Sequence, residues 1–204
     1  MRIVCLDLEG VLVPEIWINV AEKTGIEELR LTTRDIPDYD VLMRKRLGIL
    51  DQHQLKLPAI QEVIGGMQPL EGAKAFLDEL RCEYQVIILS DTFQEFAAPL
   101  MRQLGWPTLF CNTLEVEKDG RISGYCLRQQ DGKRKAVEAL ISLNMQIVAA
   151  GDSYNDISML QSAHAGVLFC PPENIIAEYP ELPLATDYAQ LKSEIERSFT
   201  TVCV

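Results

Sequence analysis

The chain has 204 residues, of which 30 are acidic and 19 are Lys or Arg, for a formal net charge of −11. A chain of this length buries about 70% of its unfolded surface, enough for one sizeable core without disulfides. The negative balance works against nucleic acid or anionic lipid as partners, because affinity for either comes largely from Lys and Arg meeting phosphates. No apolar run approaches the roughly 18 residues of a membrane span. Cys5, Cys82, Cys111, Cys126, Cys170 and Cys203 are irregularly spaced with no Cys-x-x-Cys, so they read as reduced thiols acting as small hydrophobes. The first strand begins at once, leaving no space for a secretory leader, and the expected location is the cytoplasm.

The apolar run Ile3 to Leu6 is the first strand, and it ends in Asp7-Leu8-Glu9-Gly10, two carboxylates spaced i, i+2 before a glycine turn. From Glu15 to about Met67 the pattern is helical throughout: Glu15 to Lys23 ending at Gly25, Tyr39 to Gln52, and a third helix from Pro58 to Gly65-Gly66. Three short helices in that position make a small all-helical cap over residues 14–68, inserted after the first strand of a core formed by 1–13 and 69–204.

Downstream the elements alternate. A helix over Gly72 to Glu83 precedes a strand over Gln85 to Leu89, and a helix over Gln94 to Leu104, which Pro99 should shorten or kink, precedes a short strand near Thr108 to Cys111. Leu114 to Leu127, with Asp119-Gly120 at its centre, reads as a hairpin. Helix Lys133 to Leu143, strand Ile147 to Ala150, helix Asn155 to Ala163 and strand Gly166 to Phe169 follow, and a last helix covers Tyr188 to Phe199. The βαβ series implies an α/β fold with a parallel sheet, right-handed crossovers and helices packed on it.

Three strand ends carry chemistry. Asp7 is placed to attack phosphorus and Glu9 to move the proton, a role that contributes about 10²–10⁴-fold, although a carboxylate pair decorating a turn reads the same way in isolation. After the second apolar run comes Gly151-Asp152-Ser153-Tyr154-Asn155-Asp156. Asp152 is there a candidate ligand that meets Asp7 on Mg²⁺, while Asn155 and Asp156 either orient the ligands or cap the following helix. Between them, Ser90-Asp91-Thr92 ends the strand over Val86 to Leu89, where a hydroxyl and backbone amides hold phosphate oxygens, and Lys133 supplies a positive charge. The two basic clusters, Arg44-Lys45-Arg46 and Lys133-Arg134-Lys135, read equally well as solvated helix faces.

Asp7-Leu8-Glu9-Gly10-Val11, Ser90, Lys133 and Gly151-Asp152-x-x-Asn155-Asp156, in this order, resemble the four motifs of the haloacid dehalogenase superfamily. Within it, over about residues 1 to 170, the chain looks like the phosphoserine phosphatase branch. That resemblance implies a Rossmann-like core, Mg²⁺ held by Asp7, Glu9 and Asp152, phosphate bound by Ser90, Asp91 and Lys133, and a phospho-aspartate intermediate. It also implies that Glu15 binds the ammonium and Arg44 the carboxylate of phosphoserine, with Asn155 at the substrate and Asp156 behind it. An amino acid phosphate needs both charges, and Arg forks onto a carboxylate through two parallel hydrogen bonds.

The family usually has Asp where this chain has Glu9. That variation resembles the ThrH type, which is implied also to pass the phosphoryl group to homoserine, and a displaced Glu9 carboxyl would leave room for an alcohol acceptor. Gly151-Asp152-Ser153 superficially matches an SGNH esterase block, but no late Asp-x-x-His exists, and His53 and His164 read as structural. No Cys-x₅-Arg and no Gly-x₄-Gly-Lys-[Ser/Thr] occurs, which sets aside a cysteine phosphatase and a Walker-type kinase. The sequence is compatible with a homodimer and does not choose between oligomeric states.

Overall fold

The first strand, β1 (Arg2–Leu6), alternates its side chains between two cores: Val4 and Leu6 face one, Ile3 and Cys5 the other. Such two-sided burial is what a central parallel strand requires. In this computed structural model, which describes residues 1–32, 35–36 and 38–201, β1 pairs in parallel with β2 (Gln85–Phe93) and β5 (Gln146–Gly151), with Leu6 opposite Ile88 and Ala150. β3 (Thr108–Val116) and β4 (Ile122–Cys126) extend the sheet on one side, and β6 (Ala165–Phe169) and β7 (Leu184–Ala185) on the other. The order is β4-β3-β2-β1-β5-β6-β7, parallel except for the β3–β4 hairpin. This is the expected α/β architecture.

Helices α4 (Ala73–Glu83), α5 (Gln94–Gln103) and α9 (Tyr188–Thr201) cover the face that carries Val4 and Leu6. Helices α6 (Gly132–Ser142), α7 (Ile157–Ser162) and α8 (Glu173–Glu178) cover the other. Between β1 and α4 lie α1 (Ile16–Thr24), a single 3₁₀ turn (Glu27–Arg30), α2 (Tyr39–Gln52) and α3 (Leu57–Gly65). Their apolar side chains, among them Val20, Leu29, Met43 and Ile60, join the same cluster as Phe96 and Leu100. The hairpin holds this helical layer from its far side, since Leu57 N–H donates to Gly120 O at 2.9 Å and Lys56 pairs with Asp119 at 2.8 Å.

Several boundaries differ from the sequence expectation, each for a local reason. β2 continues to Phe93 because its register with β3 shifts between Leu89 and Phe93, carrying Ser90-Asp91-Thr92 within an irregular strand end. Thr108 to Val116 is one strand, not a short strand plus half a hairpin. α5 is not shortened by Pro99. The ring removes one N–H, and the carbonyl it leaves open, Glu95 O, accepts instead from Gln61 Nε2 of α3 at 2.8 Å. Asn155 lies in a 3₁₀ turn, Tyr154–Asp156, ahead of α7.

The segment after β6 reaches back to the first loop of the chain. Tyr188 stacks between Phe76 and Phe169, at 4.8 and 4.9 Å, and its hydroxyl donates to Val11 O at 2.7 Å, anchoring the loop that follows β1. Cys5, Cys82, Cys111, Cys126 and Cys170 are free thiols, and Cys203 lies outside the described residues. No helix among the described residues is long and apolar enough to cross a membrane.

Candidate active site

From β1 the chain builds outward through β2 and β3 to β4, then returns through α6 to β5 on the other side of β1, so the strand order reverses between β1 and β5, and ligands bind α/β sheets outside the carboxyl ends of strands at such a switch point. Asp7 sits there. Its N–H continues the β1 ladder to Ala150 O at 2.9 Å, which fixes the backbone, while Oδ1 accepts from Leu8 N–H at 2.7 Å and lies 2.9 Å from Lys133 Nζ. Burial, the Asp156 charge and Asp152 hold the Asp7 carboxyl well above the ordinary range, and Lys133 pulls the other way.

Lys133, in the first turn of α6, is 3% exposed and reaches Asp156 at 2.7 Å and Asp91 at 3.7 Å as well as Asp7. Burial alone would lower its pKa, but Asp156 and Asp7 outweigh that and raise it, so the ammonium is held charged. Asp156 is fully buried, and its second oxygen accepts from Asp152 N–H at 3.0 Å and Ser153 N–H at 3.1 Å. It therefore ties the turn after β5 to Lys133, combining the two roles, helix cap and orienting group, left open by the sequence.

The turn after β1 coils tightly, with Leu12 and Val13 both donating to Leu8 O and Gly10 N–H donating to Val13 O at 2.8 Å. Gly10 has φ +77°, and a Cβ there would lie 2.4 Å from Asp152 Cγ. Only glycine permits that approach of the first acid loop to the second. One ligand oxygen from each of Asp7, Asp152 and Asp156 falls within 4.8 Å of the others. Carboxylates here outnumber Lys133, the one buried ammonium among the described residues, and oxygen donors of this kind suit a hard divalent cation. Both Asp156 oxygens are already engaged, one by Lys133 and the other by the N–H groups of Asp152 and Ser153.

Glu9 is not in that cluster. Its Oε2 accepts from Ile16 N–H at 2.8 Å, an otherwise orphaned donor at the start of α1, which ties the carboxylate to the helical layer. Desolvation and the neighbouring Glu15 push it up to about 8. Ser90 is buried, with its Oγ accepting from Thr92 N–H at 3.2 Å. The Asp91 carboxylate accepts from Asn155 Nδ2 at 3.0 Å, so only its backbone N–H suits a phosphate. Asn155 joins this group through Asp91.

Arg44, expected at the carboxylate of the substrate, points outward. Its side chain is 73% exposed and its Nε donates to Asp40 O at 3.2 Å. The arginine on the inner face is Arg46, 7% exposed, close enough to Glu9 and Glu15 to be held up by both charges and brought by burial to about 10. Helical spacing carries the signal that separates them. Arg46 follows Leu42 and Met43 by four and three residues and precedes Ile49 by three, placing it on the buried stripe, and Arg44 falls on the opposite side. Tyr39 and Lys133 line a cleft of about 1240 Å³ together with Asp91, Asn112 and Asn155.

The match to the haloacid dehalogenase-like hydrolase family covers residues 1–164, and the chain belongs to that family. Among its relatives, phosphoserine phosphatase ThrH of Pseudomonas aeruginosa is 62% identical over 194 residues, covering 95% of each chain. Phosphoserine phosphatase of Pseudomonas syringae pv. tomato is 60% identical over 95% of this chain and 82% of its own. A crystal structure of phosphoserine phosphatase in apo form superposes with a TM-score of 0.74 at 25% identity, covering 91% of this chain and 94% of the other.

Proposed function

We propose that the chain hydrolyses O-phospho-L-serine through a phosphoryl group carried on Asp7, and that it also passes this group to homoserine. The observation that carries the reading is the convergence on one site of Asp7 with Lys133 at 2.9 Å and of Glu15 with Arg46, opposite charges suited to an amino acid's ammonium and carboxylate. The names of the Pseudomonas relatives, both phosphoserine phosphatases, support the choice of phosphoserine as substrate.

Leu8 N–H and Lys133 hold Oδ1 of Asp7, which leaves Oδ2 to attack phosphorus. As that bond forms, the bond from phosphorus to the serine oxygen breaks and its electron pair leaves on the oxygen, which Glu9 protonates. The ionised Glu9 then takes a proton from water or from the homoserine hydroxyl, whose oxygen attacks phosphorus and returns Asp7 to its carboxylate. Lys133, Ser90 and the Asp91 N–H meet the phosphate oxygens. Mg²⁺, held by Asp7 and Asp152, would neutralise phosphate charge during both displacements. Residues 14–68 act as a cap that brings Glu15 and Arg46 over the core of residues 1–13 and 69–204 and holds the substrate against Asp7 during the first displacement.

Phosphorus-31 NMR of the purified protein with phosphoserine, homoserine and Mg²⁺ tests all of this in one sample. Inorganic phosphate together with phosphohomoserine is expected, and EDTA should abolish both. Inorganic phosphate alone would remove the transfer reaction, full activity in EDTA would remove the metal, and an unchanged spectrum would remove phosphoserine as substrate.

A further inference from the structure

Arg46 is held in place without an ion pair of its own within 4.0 Å among the described residues. One terminal nitrogen donates to Leu31 O at 2.8 Å, the other lies 3.8 Å from Met43 Sδ, and Nε is buried with no hydrogen-bond partner among the described residues. The guanidinium lies over the Trp17 ring, 4.5 Å from its centroid. Trp17 is itself fixed, being 8% exposed and edge-on to Phe96 at 5.3 Å, while Phe96 meets Phe93 edge-on at 5.7 Å. A file of rings thus runs from the irregular end of β2, beside Ser90, to the underside of the guanidinium.

We propose that Trp17 is the positioning residue of the site: it sets the plane of Arg46 and leaves Nε as the donor for the carboxylate of the phosphate ester, so that discrimination for carboxylate-bearing substrates depends on Trp17. A buried donor without a partner is costly and calls for an acceptor arriving with a ligand. A π face can steady a cation without neutralising it, whereas a direct carboxylate partner would occupy the fork that the substrate needs. The charge on Arg46 survives its burial, because even at about 10 it stays protonated at neutral pH. The inference rests on phosphoserine being the substrate, and its test separates the two ideas.

The variants are Trp17→Leu, Trp17→Phe and Arg46→Met. The readouts are KM for phosphoserine and the inhibition constant of O-phosphoethanolamine, which keeps the ammonium and phosphate, lacks the carboxylate, and serves as a competitor whether or not it is turned over. For Trp17→Leu, the KM for phosphoserine should rise roughly 10- to 30-fold, the worth of a desolvated cation–π contact, while phosphoethanolamine shifts less than about 2-fold. Trp17→Phe should fall between that variant and the parent, and it carries the test if Trp17→Leu does not fold. If Arg46→Met separates the two ligands but the Trp17 variants weaken both alike or neither, Trp17 has no positioning role. If Arg46→Met fails to separate them, the carboxylate reading of the site falls with it.

Discussion

Replacing Lys133 by Met keeps the length of the side chain but removes the single buried ammonium that faces Asp7 and Asp156, at 2.9 and 2.7 Å. At those separations and an effective dielectric of about 20, each attraction is worth roughly 6 kcal/mol before desolvation is subtracted. Most of that offsets the cost of taking the charges out of water, but the offset is lost when one partner goes. Breaking a buried pair by truncation costs about 3–5 kcal/mol. At roughly 2–4 °C per kcal/mol for a domain of this size, the melting temperature should fall by about 6–20 °C. Urea unfolding in EDTA, where no divalent cation can replace the lost charge, is the assay, and the midpoint should drop with an unchanged slope. Because the excess negative charge is the cause, adding Asp156→Asn should restore part of the loss, giving a double variant less damaged than the two single losses summed. A Lys133→Met cost below about 1 kcal/mol, or strict additivity with Asp156→Asn, would refute the argument.

Gly10→Ala should abolish turnover and lower the melting temperature, because the new methyl meets the Asp152 carboxylate at 2.4 Å from a backbone φ of +77°. Gly48→Ala is its control: open space surrounds that position within α2, so stability should rise by about 0.5–1 kcal/mol with turnover unchanged. Arg44→Ala should leave the KM for phosphoserine within about 2-fold of the parent, since the side chain points to solvent, and steady-state kinetics decide it.

The core of the site was legible because strand ends dictate direction. An apolar run that terminates in an acid delivers that acid to the carboxyl edge of a parallel sheet, so Asp7 and Asp152 could be placed together from sequence before any contact was known. Lys133 and Asp156 were legible as candidates, although their 2.7 Å contact spans 23 residues and follows only from the packing of α6 and α7 against one another. Glu9 and Arg44 show where such reasoning runs out. The spacing i, i+2 brings the two acids to one loop, but it does not reveal that the N–H of Ile16 ties the Glu9 carboxylate to the start of α1 and leaves it outside the cluster of Asp7, Asp152 and Asp156. Choosing between Arg44 and Arg46 needed the phase of α2, a phase that its Leu42, Met43 and Ile49 already carried. Pro99 does not shorten α5, and the sequence does not reveal that Gln61 answers the carbonyl it leaves open.

The hydroxyl of Tyr188 gives the first loop of the chain a tether 177 positions further on. β1 also waits for both of its neighbours, β2 and β5, and contacts between such distant segments make assembly slow because loop closure precedes any gain. A growing chain therefore carries Asp7, the proposed nucleophile, from the outset but without its partners. Asp7 has no Lys133 beside it until α6 has been made, no Asp152 until β5 has been made, and no settled turn behind it until α9 has docked. On the proposed reading, the partners that would make this carboxylate reactive are all supplied by later parts of the chain, and the site is complete only when the sheet has closed around β1.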